Sequence, residues 1–246
     1  MCEVKLEPYP HYYLENILPE DYYFSLLEHL PGGNAYQNLF EITDLKLDHF
    51  RHRDQRDLND DWTGALSNEL RNFWDSFNEW FLSQELASAV LDSFADSLRL
   101  RFGPRESWPE VSVESQLIRH RPGYFLGPHS DLYTKLVVLL LYLPADDTTA
   151  HLGTSLYRPK DPTFACANST HYRFEDFIRV ETAPYKPNSM LAFVRSDVSF
   201  HGVEPLSEQD LSRGGRDLIQ YVLHDKHARI AQLKARRLAA EQKATA

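Results

Sequence analysis

The clearest hydrophobic pattern in the chain is a continuous apolar run, 136–143, which ends at Pro144. The run is too short to cross a membrane, and valines lie near its start. It therefore predicts a strand that is buried on both faces. Four other stretches have the composition of strands: 111–120, 152–158, 190–195 and 217–224. Short strands separated by turn residues are typical of an antiparallel sandwich or barrel.

Before these strands, the apolar residues follow a helical spacing. The segments 21–30, 62–82 and 83–98 place them three or four positions apart, and the aromatic side of the second segment predicts packing against a sheet. We therefore predict a single domain over residues 1–246. It would comprise a mostly helical support region (1–108), a β-rich catalytic core (109–225) and a C-terminal helix or tail (226–246).

The candidate chemistry lies between the first two core strands, at Gly127-Pro128-His129-Ser130-Asp131. On extended backbone, residues i and i+2 point to the same side, so His129 and Asp131 can reach one metal ion. His201 would complete the set from a separate strand. Two imidazoles and one carboxylate form a facial triad that suits non-haem Fe(II) and leaves the opposite face of the ion open. We predict that these three residues are the metal ligands and the catalytic centre.

A second His-x-Asp triplet begins at His52, and with Asn59 it resembles the catalytic loop of protein kinases. A kinase also needs a glycine-rich loop before this point and an Asp-Phe-Gly sequence after it, and the sequence has neither. We therefore interpret residues 52–61 as a charged surface segment.

Arg216 opens the last predicted strand and shares its parity with Leu218 and Gln220, so it is expected to point to the interior. A buried arginine needs a partner, and a dicarboxylate such as 2-oxoglutarate would supply one through a bidentate pair. That arginine would also neutralise the negative charge left by Fe(II), one carboxylate ligand and a dianionic cosubstrate. Arg213 is the second candidate for this role.

Taken together, these motifs resemble the Fe(II)/2-oxoglutarate-dependent dioxygenases, in particular the prolyl 4-hydroxylase-like branch. The resemblance covers roughly residues 109–225. In chain order it rests on the Pro122-Gly123 turn, Pro128-His129-Ser130-Asp131, Tyr142-Leu143-Pro144, Leu152–Leu156, Tyr185–Phe193, His201–Leu206 and Arg216. It implies a double-stranded β-helix (a jelly roll, cupin-like) with helices packed on one side. It also implies iron on His129, Asp131 and His201, and the distal carboxylate of 2-oxoglutarate on Arg216.

The resemblance also implies a reaction. Fe(II), 2-oxoglutarate and O₂ would yield succinate, CO₂ and a hydroxylated C–H bond, or a related desaturation or demethylation. Halogenases of this class have a small residue in place of the carboxylate ligand, so the presence of Asp131 argues against halogenation. A peptidyl (prolyl-type) hydroxylase, a cupin-like metal protein that does not use 2-oxoglutarate, and a non-enzymatic scaffold stay open as alternatives.

We expect the substrate to be a small molecule, such as an amino acid or a secondary metabolite. Ligand sites are commonly lined by aromatic groups with a few polar contacts, so Tyr124, Tyr133 and His171 are the predicted substrate residues, with Phe125 as a further pocket wall. Simple core packing of these residues is the alternative.

The stretch Pro159–Ala183 is interpreted as an insertion that the family core does not require. It mixes turn residues with aromatic ones, which is typical of binding loops. We expect it to cover the substrate entrance, and a loop that braces the sheet far from the metal is the alternative.

Two further histidines lie near these motifs. We expect His120 to be structural or close to the cofactor, and His224 to lie in a turn after the last strand.

The composition limits the partners. A net charge of −10 argues against nucleic acid or an anionic membrane as the main partner. Two cysteines are too few for a disulfide framework, and the first residues lack an apolar signal segment, so we expect a cytoplasmic location. The oligomeric state stays open, with a homodimer through the C-terminal residues as one alternative.

Overall fold

The computed structural model describes residues 3–44, 46–166, 170–211 and 214–244. The strands are β1 His11–Glu15, β2 Gln37–Asn38, β3 Arg53–Asp57, β4 Val111–His120, β5 Leu126–His129, β6 Lys135–Tyr142, β7 Thr154–Pro159, β8 Phe177–Ala183, β9 Ser189–Val194, β10 Phe200–Val203 and β11 Arg216–Asp225. The α-helices are α1 Glu20–Glu28, α2 Leu39–Ile42, α3 Asn68–Phe81, α4 Gln84–Ser93, α5 Ala95–Phe102 and α6 Lys226–Ala244.

Two antiparallel sheets form the core. The large sheet has the order β1-β9-β6-β11-β4-β3-β2, and the small sheet has the order β5-β10-β7-β8. From β4 to β11 the chain alternates between the sheets, except at β7 and β8, which pair with each other in the small sheet. This alternation winds the chain into a double-stranded β-helix, so the predicted jelly-roll core is confirmed.

The apolar run of β6 lies in the middle of the large sheet, as its composition predicted. Leu139 and Leu141 face the helices, whereas Val138, Leu140 and Tyr142 face the space between the two sheets. Each fully buried side chain of this kind contributes roughly 1.5–3 kcal/mol. Because both faces of β6 are covered, a continuous apolar run replaces the alternation that is typical of half-exposed strands.

The N-terminal helices pack on the outer face of the large sheet. Ser67 and Ser83 cap α3 and α4 by accepting hydrogen bonds from Leu70 N and Leu86 N. The aromatic side of α3 is buried in the cluster that these helices form with the sheet: Trp74, Phe77 and Phe81. With the helices on the outer face, the space between the two sheets is left for a site.

The interpretation of residues 52–61 as a charged surface segment is wrong. Residues 53–57 form β3, which pairs with β4 and is half-buried along its whole length. Arg53 and Gln55 line the space between the sheets. The charge of this segment hid the strand, because its inward-facing side chains are polar where a core strand normally has apolar ones. The support region thus contributes strands as well as helices, and β1 adds an edge to the large sheet.

The interpretation of Pro159–Ala183 as a complete insertion is also wrong. Its last part is β8, the edge strand of the small sheet, which pairs with β7 from Thr154 to Pro159. The jelly roll needs this strand to cover its open side. Only residues 160–176 connect the two strands, and residues 167–169 lie outside the described part.

Across the described ranges, no helix combines the length and the apolar composition that crossing a membrane requires.

Candidate metal centre and its cavities

The three predicted metal ligands converge at one end of the barrel. His129 ends β5 and lies directly opposite His201 on β10, and Asp131 follows two residues after His129. One ligand atom from each residue lies within 4.8 Å of the other two. The distance from His201 Nε2 to Asp131 Oδ2 is 3.6 Å, and all three residues are buried. Neighbouring strands of the small sheet therefore build the predicted triad.

Backbone carbonyls fix the orientation of both imidazoles. His129 Nδ1 donates to Gly127 O, and His201 Nδ1 donates to Ser199 O, each at 3.1 Å. A carbonyl can only accept, so the proton of each neutral ring lies on Nδ1 and the lone pair of each Nε2 is left free. This arrangement is usual for metal-binding histidines, in which the second nitrogen is held by an acceptor.

The charges around the triad suit a divalent cation. Burial lowers the pKa of His129 well below its ordinary value, with a further contribution from His201, and burial also lowers the pKa of His201. Burial alone would raise the pKa of Asp131, but Lys135 and the two imidazoles outweigh it and hold that pKa below its ordinary value. The triad thus presents two neutral imidazoles and one carboxylate, which is the donor set that Fe(II) takes in a facial triad.

The carboxylate and backbone of Asp131 are held separately. Its Oδ1 accepts a hydrogen bond of 2.6 Å from Lys135 Nζ, whereas its buried Oδ2 has no hydrogen-bond partner among the described residues. Its carbonyl oxygen accepts a 3.0 Å hydrogen bond from Arg195 Nε. An unpartnered carboxylate oxygen beside two free imidazole nitrogens fits a metal ion as the missing partner.

A cavity of about 400 Å³ extends from the triad into the barrel. Arg216 lies in its wall with 1% of its surface exposed. The guanidinium donates to three neutral acceptors: Leu152 O at 2.6 Å, His120 Nδ1 at 3.0 Å and Thr154 Oγ1 at 3.1 Å. It also lies over two aromatic rings, those of Tyr142 and Tyr185, at 5.4 and 5.1 Å from the centroids.

No carboxylate of a described residue lies within ion-pair distance of Arg216. An arginine has five N–H donors, and the three hydrogen bonds of Arg216 leave two for a ligand. The prediction that Arg216 points into the core is thus confirmed, and a dianionic cosubstrate would supply the missing charge. The alternative residue, Arg213, lies outside the described residues.

His120 lies beside Arg216, so one of the two expectations for this residue, a position close to the cofactor pocket, fits the geometry. Burial, with a contribution from Arg216, lowers the pKa of His120 well below its ordinary value. Because its Nδ1 accepts from Arg216, the ring proton is on Nε2, which is buried and has no described partner. Tyr124 stacks on the His120 ring at 3.8 Å between centroids and lines the same cavity.

The other two predicted substrate residues differ in position. The ring of His171 lies 5.0 Å from the ring of His129, and burial with the nearby His49 lowers its pKa to about 4. Tyr133 is 49% exposed and lines neither of the two cavities at this end of the barrel. The structure therefore places His171 beside the triad and Tyr133 at the surface, outside both cavities.

A second cavity, of about 780 Å³, lies on the outer side of His171. It shares His171 and Leu132 with the cavity that contains the triad, and Phe125 forms part of its wall. The remaining wall comes largely from the connection 160–176, namely Thr170, Tyr172, Arg173, Phe174 and Glu175.

The connection 160–176 is anchored beside the metal centre. Tyr172 N donates to Pro128 O at 2.9 Å, and a Cβ on Gly127 would lie 2.3 Å from Tyr172 O. With His171 5.0 Å from His129, the alternative of a loop far from the metal is excluded.

The interpretation of His224 as a turn residue beyond the last strand is wrong. It is the second-last residue of β11 and is 1% exposed. Its Nδ1 lies 3.2 Å from Thr134 Oγ1, and its Nε2 lies 3.4 Å from Glu114 Oε2.

Sequence reasoning also missed Lys135, Arg53 and Gln55. The spacing of Lys135 four residues after Asp131 was the only signal for the first, and the uniformly polar segment 53–57 gave no signal for the other two.

No protein-family model and no curated protein sequence matches the chain. Among solved structures, the chain is similar to a prolyl-4-hydroxylase from Pseudomonas putida, with 15% identity, coverage of 88% of this chain and 92% of the other, and a TM-score of 0.49. It is similar to an oxidoreductase of the 2OG-Fe(II) oxygenase family from Burkholderia pseudomallei, with 16% identity, coverage of 56% and 57%, and a TM-score of 0.31.

A third similar structure is the non-heme alpha ketoglutarate dependent epimerase SnoN from nogalamycin biosynthesis, with 12% identity, coverage of 87% and 76%, and a TM-score of 0.46. Because identities and TM-scores are low, a function for this chain has to be built on its own residues.

Proposed function

We propose that the protein is a non-haem Fe(II)- and 2-oxoglutarate-dependent dioxygenase that hydroxylates a C–H bond of a small molecule. The observation that carries this proposal is the joint geometry of the triad and Arg216. Three convergent ligand atoms and a buried guanidinium without a carboxylate partner lie in the walls of one cavity. A metal ion fits the first feature, and a dicarboxylate cosubstrate fits the second.

When bound, Fe(II) with 2-oxoglutarate and O₂ supplies the oxidising chemistry, in which 2-oxoglutarate becomes succinate and CO₂ and the substrate gains a hydroxyl group. The residues of the chain position these groups. His129, Asp131 and His201 would hold the ion, and Lys135 holds the carboxylate of Asp131. Arg216 binds the distal carboxylate of 2-oxoglutarate.

The shape of the site supports a small substrate. The barrel cavity of about 400 Å³ and the outer cavity of about 780 Å³ lie within the range of small-molecule sites. His171 stands where the two cavities approach the triad, so it would contact a substrate that enters from the outer cavity. Residues 170–175 form part of the wall of the outer cavity, and we propose that they cover this entrance. A peptide that inserts one side chain is the alternative substrate.

The test is a comparison of metal and cosubstrate binding with turnover. The purified protein should bind one Fe(II) or Mn(II) per chain, bind 2-oxoglutarate only in the presence of the metal, and release succinate when a metabolite library supplies the substrate. His129→Ala and His201→Ala should lose the metal while the fold survives. His151→Ala, which removes an exposed imidazole paired with Asp210, is the control.

Three outcomes would separate the alternatives. Unchanged metal content in both ligand variants would contradict the metal assignment. Metal binding without any binding of 2-oxoglutarate would favour the cupin-like protein. Succinate release with peptides and not with free metabolites would favour the peptidyl hydroxylase.

A further inference from the structure

A second arginine faces the same cavity as Arg216. In the large sheet, His120 on β4 pairs with Arg216 on β11 on one side and with Arg53 on β3 on the other. Residues paired directly across neighbouring strands project to the same face of a sheet. The three side chains therefore form a row on the inner face, with neutral His120 between two cations, and all three line the cavity.

Arg53 has no carboxylate partner among the described residues. Its guanidinium makes one hydrogen bond to a described side chain, from Nη2 to Gln116 Oε1 at 3.2 Å. Its Nε is buried and has no hydrogen-bond partner. A buried donor of a charged group that lacks a partner is destabilising, so a ligand that supplies an acceptor there is favoured. One 2-oxoglutarate molecule has only one distal carboxylate, and Arg216 suffices for it.

Other unsatisfied polar atoms surround Arg53. Tyr124 is fully buried and its hydroxyl has no described partner, and Gln55, two residues after Arg53 on β3, has a buried Oε1 in the same condition. Both residues line the cavity, together with Gln116 and Gln220. Among the described residues, this wall therefore offers three unpartnered donors, Arg53 Nε, His120 Nε2 and the Tyr124 hydroxyl, and one unpartnered acceptor, Gln55 Oε1. Leu218 and Leu140 lie on the same inner face of the large sheet and add apolar surface beside these polar groups.

The position of Arg53 connects the two ends of the cavity. Its positive charge contributes, after burial and other groups, to lowering the pKa of both His120 and His171. His120 lies beside Arg216, and His171 lies beside the metal ligand His129. Arg53 and the three triad residues line the same cavity, so a small molecule held by the guanidinium lies in the space that reaches the metal centre.

We propose that Arg53 and Gln55 form a subsite for the primary substrate and that this substrate is a small carboxylic acid with a neighbouring N–H donor, such as an amino acid or an N-acyl amino acid. Arg53 binds the carboxylate, and Gln55 accepts from the N–H group. A bidentate arginine–carboxylate pair gives both affinity and orientation. The inference rests on the proposed function, because it assigns the substrate to the cavity that holds the triad.

The experiment is a binding titration under conditions without turnover. The full chain, saturated with Mn(II) and 2-oxoglutarate, is titrated with a panel of N-acetyl amino acids and with the matching N-acetyl amino acid amides, by calorimetry and thermal shift. At least one acid should bind, and its amide should bind at least tenfold more weakly. Arg53→Gln should lower the affinity for the acid at least tenfold, and Arg53→Lys should lower it less. The affinities of both variants for Mn(II) and 2-oxoglutarate should stay unchanged.

The matched control is Arg51→Gln, which removes the same charge two residues earlier from a side chain that is 57% exposed and outside the cavity wall. It should leave the affinity for the acid unchanged. Absence of binding for every acid, equal binding of acid and amide, or undiminished binding of the acid by Arg53→Gln would each overturn the inference. Those results in a protein that binds 2-oxoglutarate leave the proposed function intact, whereas loss of 2-oxoglutarate binding in the wild-type protein contradicts the function itself.

Discussion

Lys135 Nζ donates a 2.6 Å hydrogen bond to Asp131 Oδ1, and this contact divides the two oxygens of the carboxylate between two tasks. Oδ1 is held by the lysine, and Oδ2 points toward His201 Nε2, 3.6 Å away. Lys135 is the first residue of β6, so the rigid central strand of the large sheet fixes the orientation of a ligand that itself lies in a loop. The side chains of both residues are almost fully buried, with 13% and 7% exposed.

Removal of this lysine should therefore weaken metal binding. Lys135→Met keeps the length of the side chain and removes the donor, so we expect the affinity for Mn(II) to fall about tenfold or more, as is common when a group that orients a ligand is lost. Lys135→Arg should restore part of it. Calorimetry with Mn(II) measures the effect, and equal affinities for Lys135→Met and wild type would show that the lysine has no positioning role.

Replacement of Arg216 should separate cosubstrate binding from metal binding. Arg216→Gln removes the charge that would bind the distal carboxylate of 2-oxoglutarate, and charge-assisted hydrogen bonds contribute about 1.5–3 kcal/mol. The apparent KM for 2-oxoglutarate should rise at least tenfold while the Mn(II) affinity is unchanged. Arg213→Gln is the comparison: if it has the larger effect on the KM, the alternative assignment is correct.

His171 should affect the substrate and spare the cosubstrate. With a pKa of about 4 its ring is neutral at neutral pH, and its buried Nδ1 has no described partner. His171→Ala should lower turnover of the true substrate at least tenfold and leave 2-oxoglutarate affinity unchanged. The ratio of succinate to hydroxylated product should also rise. Product and succinate, quantified together, test this; a ratio equal to that of the wild type would contradict it.

A fourth prediction concerns stability. Burial alone would raise the pKa of Glu114, but His224 and Arg229 outweigh it and lower the pKa to about 2. A depressed carboxyl pKa stabilises the fold above the unfolded value of 4.5, and this stability is lost as the pH falls through the folded value. Glu114→Gln should therefore lower the free energy of unfolding by about 2 kcal/mol at neutral pH and by much less near about pH 3.

Urea unfolding at several pH values measures this difference. Glu106→Gln, which changes an exposed carboxylate, is the control and should show no such pH dependence. A difference between Glu114→Gln and wild type that stays constant with pH would contradict the role of the Glu114 charge.

The sequence predicted the parts of the fold whose physics is local. The apolar run of β6 and the aromatic side of α3 need only their own periodicity to be identified, and both are placed as expected. The triad was also visible, because the i, i+2 spacing of His129 and Asp131 has a direct geometric meaning on extended backbone. Arg216 could be placed because the parity of its strand is unbroken.

The parts of the fold that the sequence did not predict depend on contacts between segments that are distant in the chain. β3 is polar on its inner face, so no pattern in 53–57 separates it from a surface loop until β4 is beside it. β8 was missed for a similar reason: it is an edge strand with exposed Ile178 and Val180, and only its pairing with β7 defines it. His224 was misplaced because the end of β11 is polar while its environment is buried.

β3 precedes the strands of the jelly roll in the chain, and this position bears on how the substrate preference of the protein could change. The groups proposed to hold iron and 2-oxoglutarate come from β5, the loop after it, β10 and β11, all within the jelly roll. Arg53 and Gln55 come from a strand that joins the edge of β4 and is separated from it in sequence by three helices. On these proposed assignments, part of the substrate recognition is encoded in a different stretch of the gene from the oxidising machinery, and exchange of the short segment 53–57 is expected to change the substrate preference while the reaction stays the same.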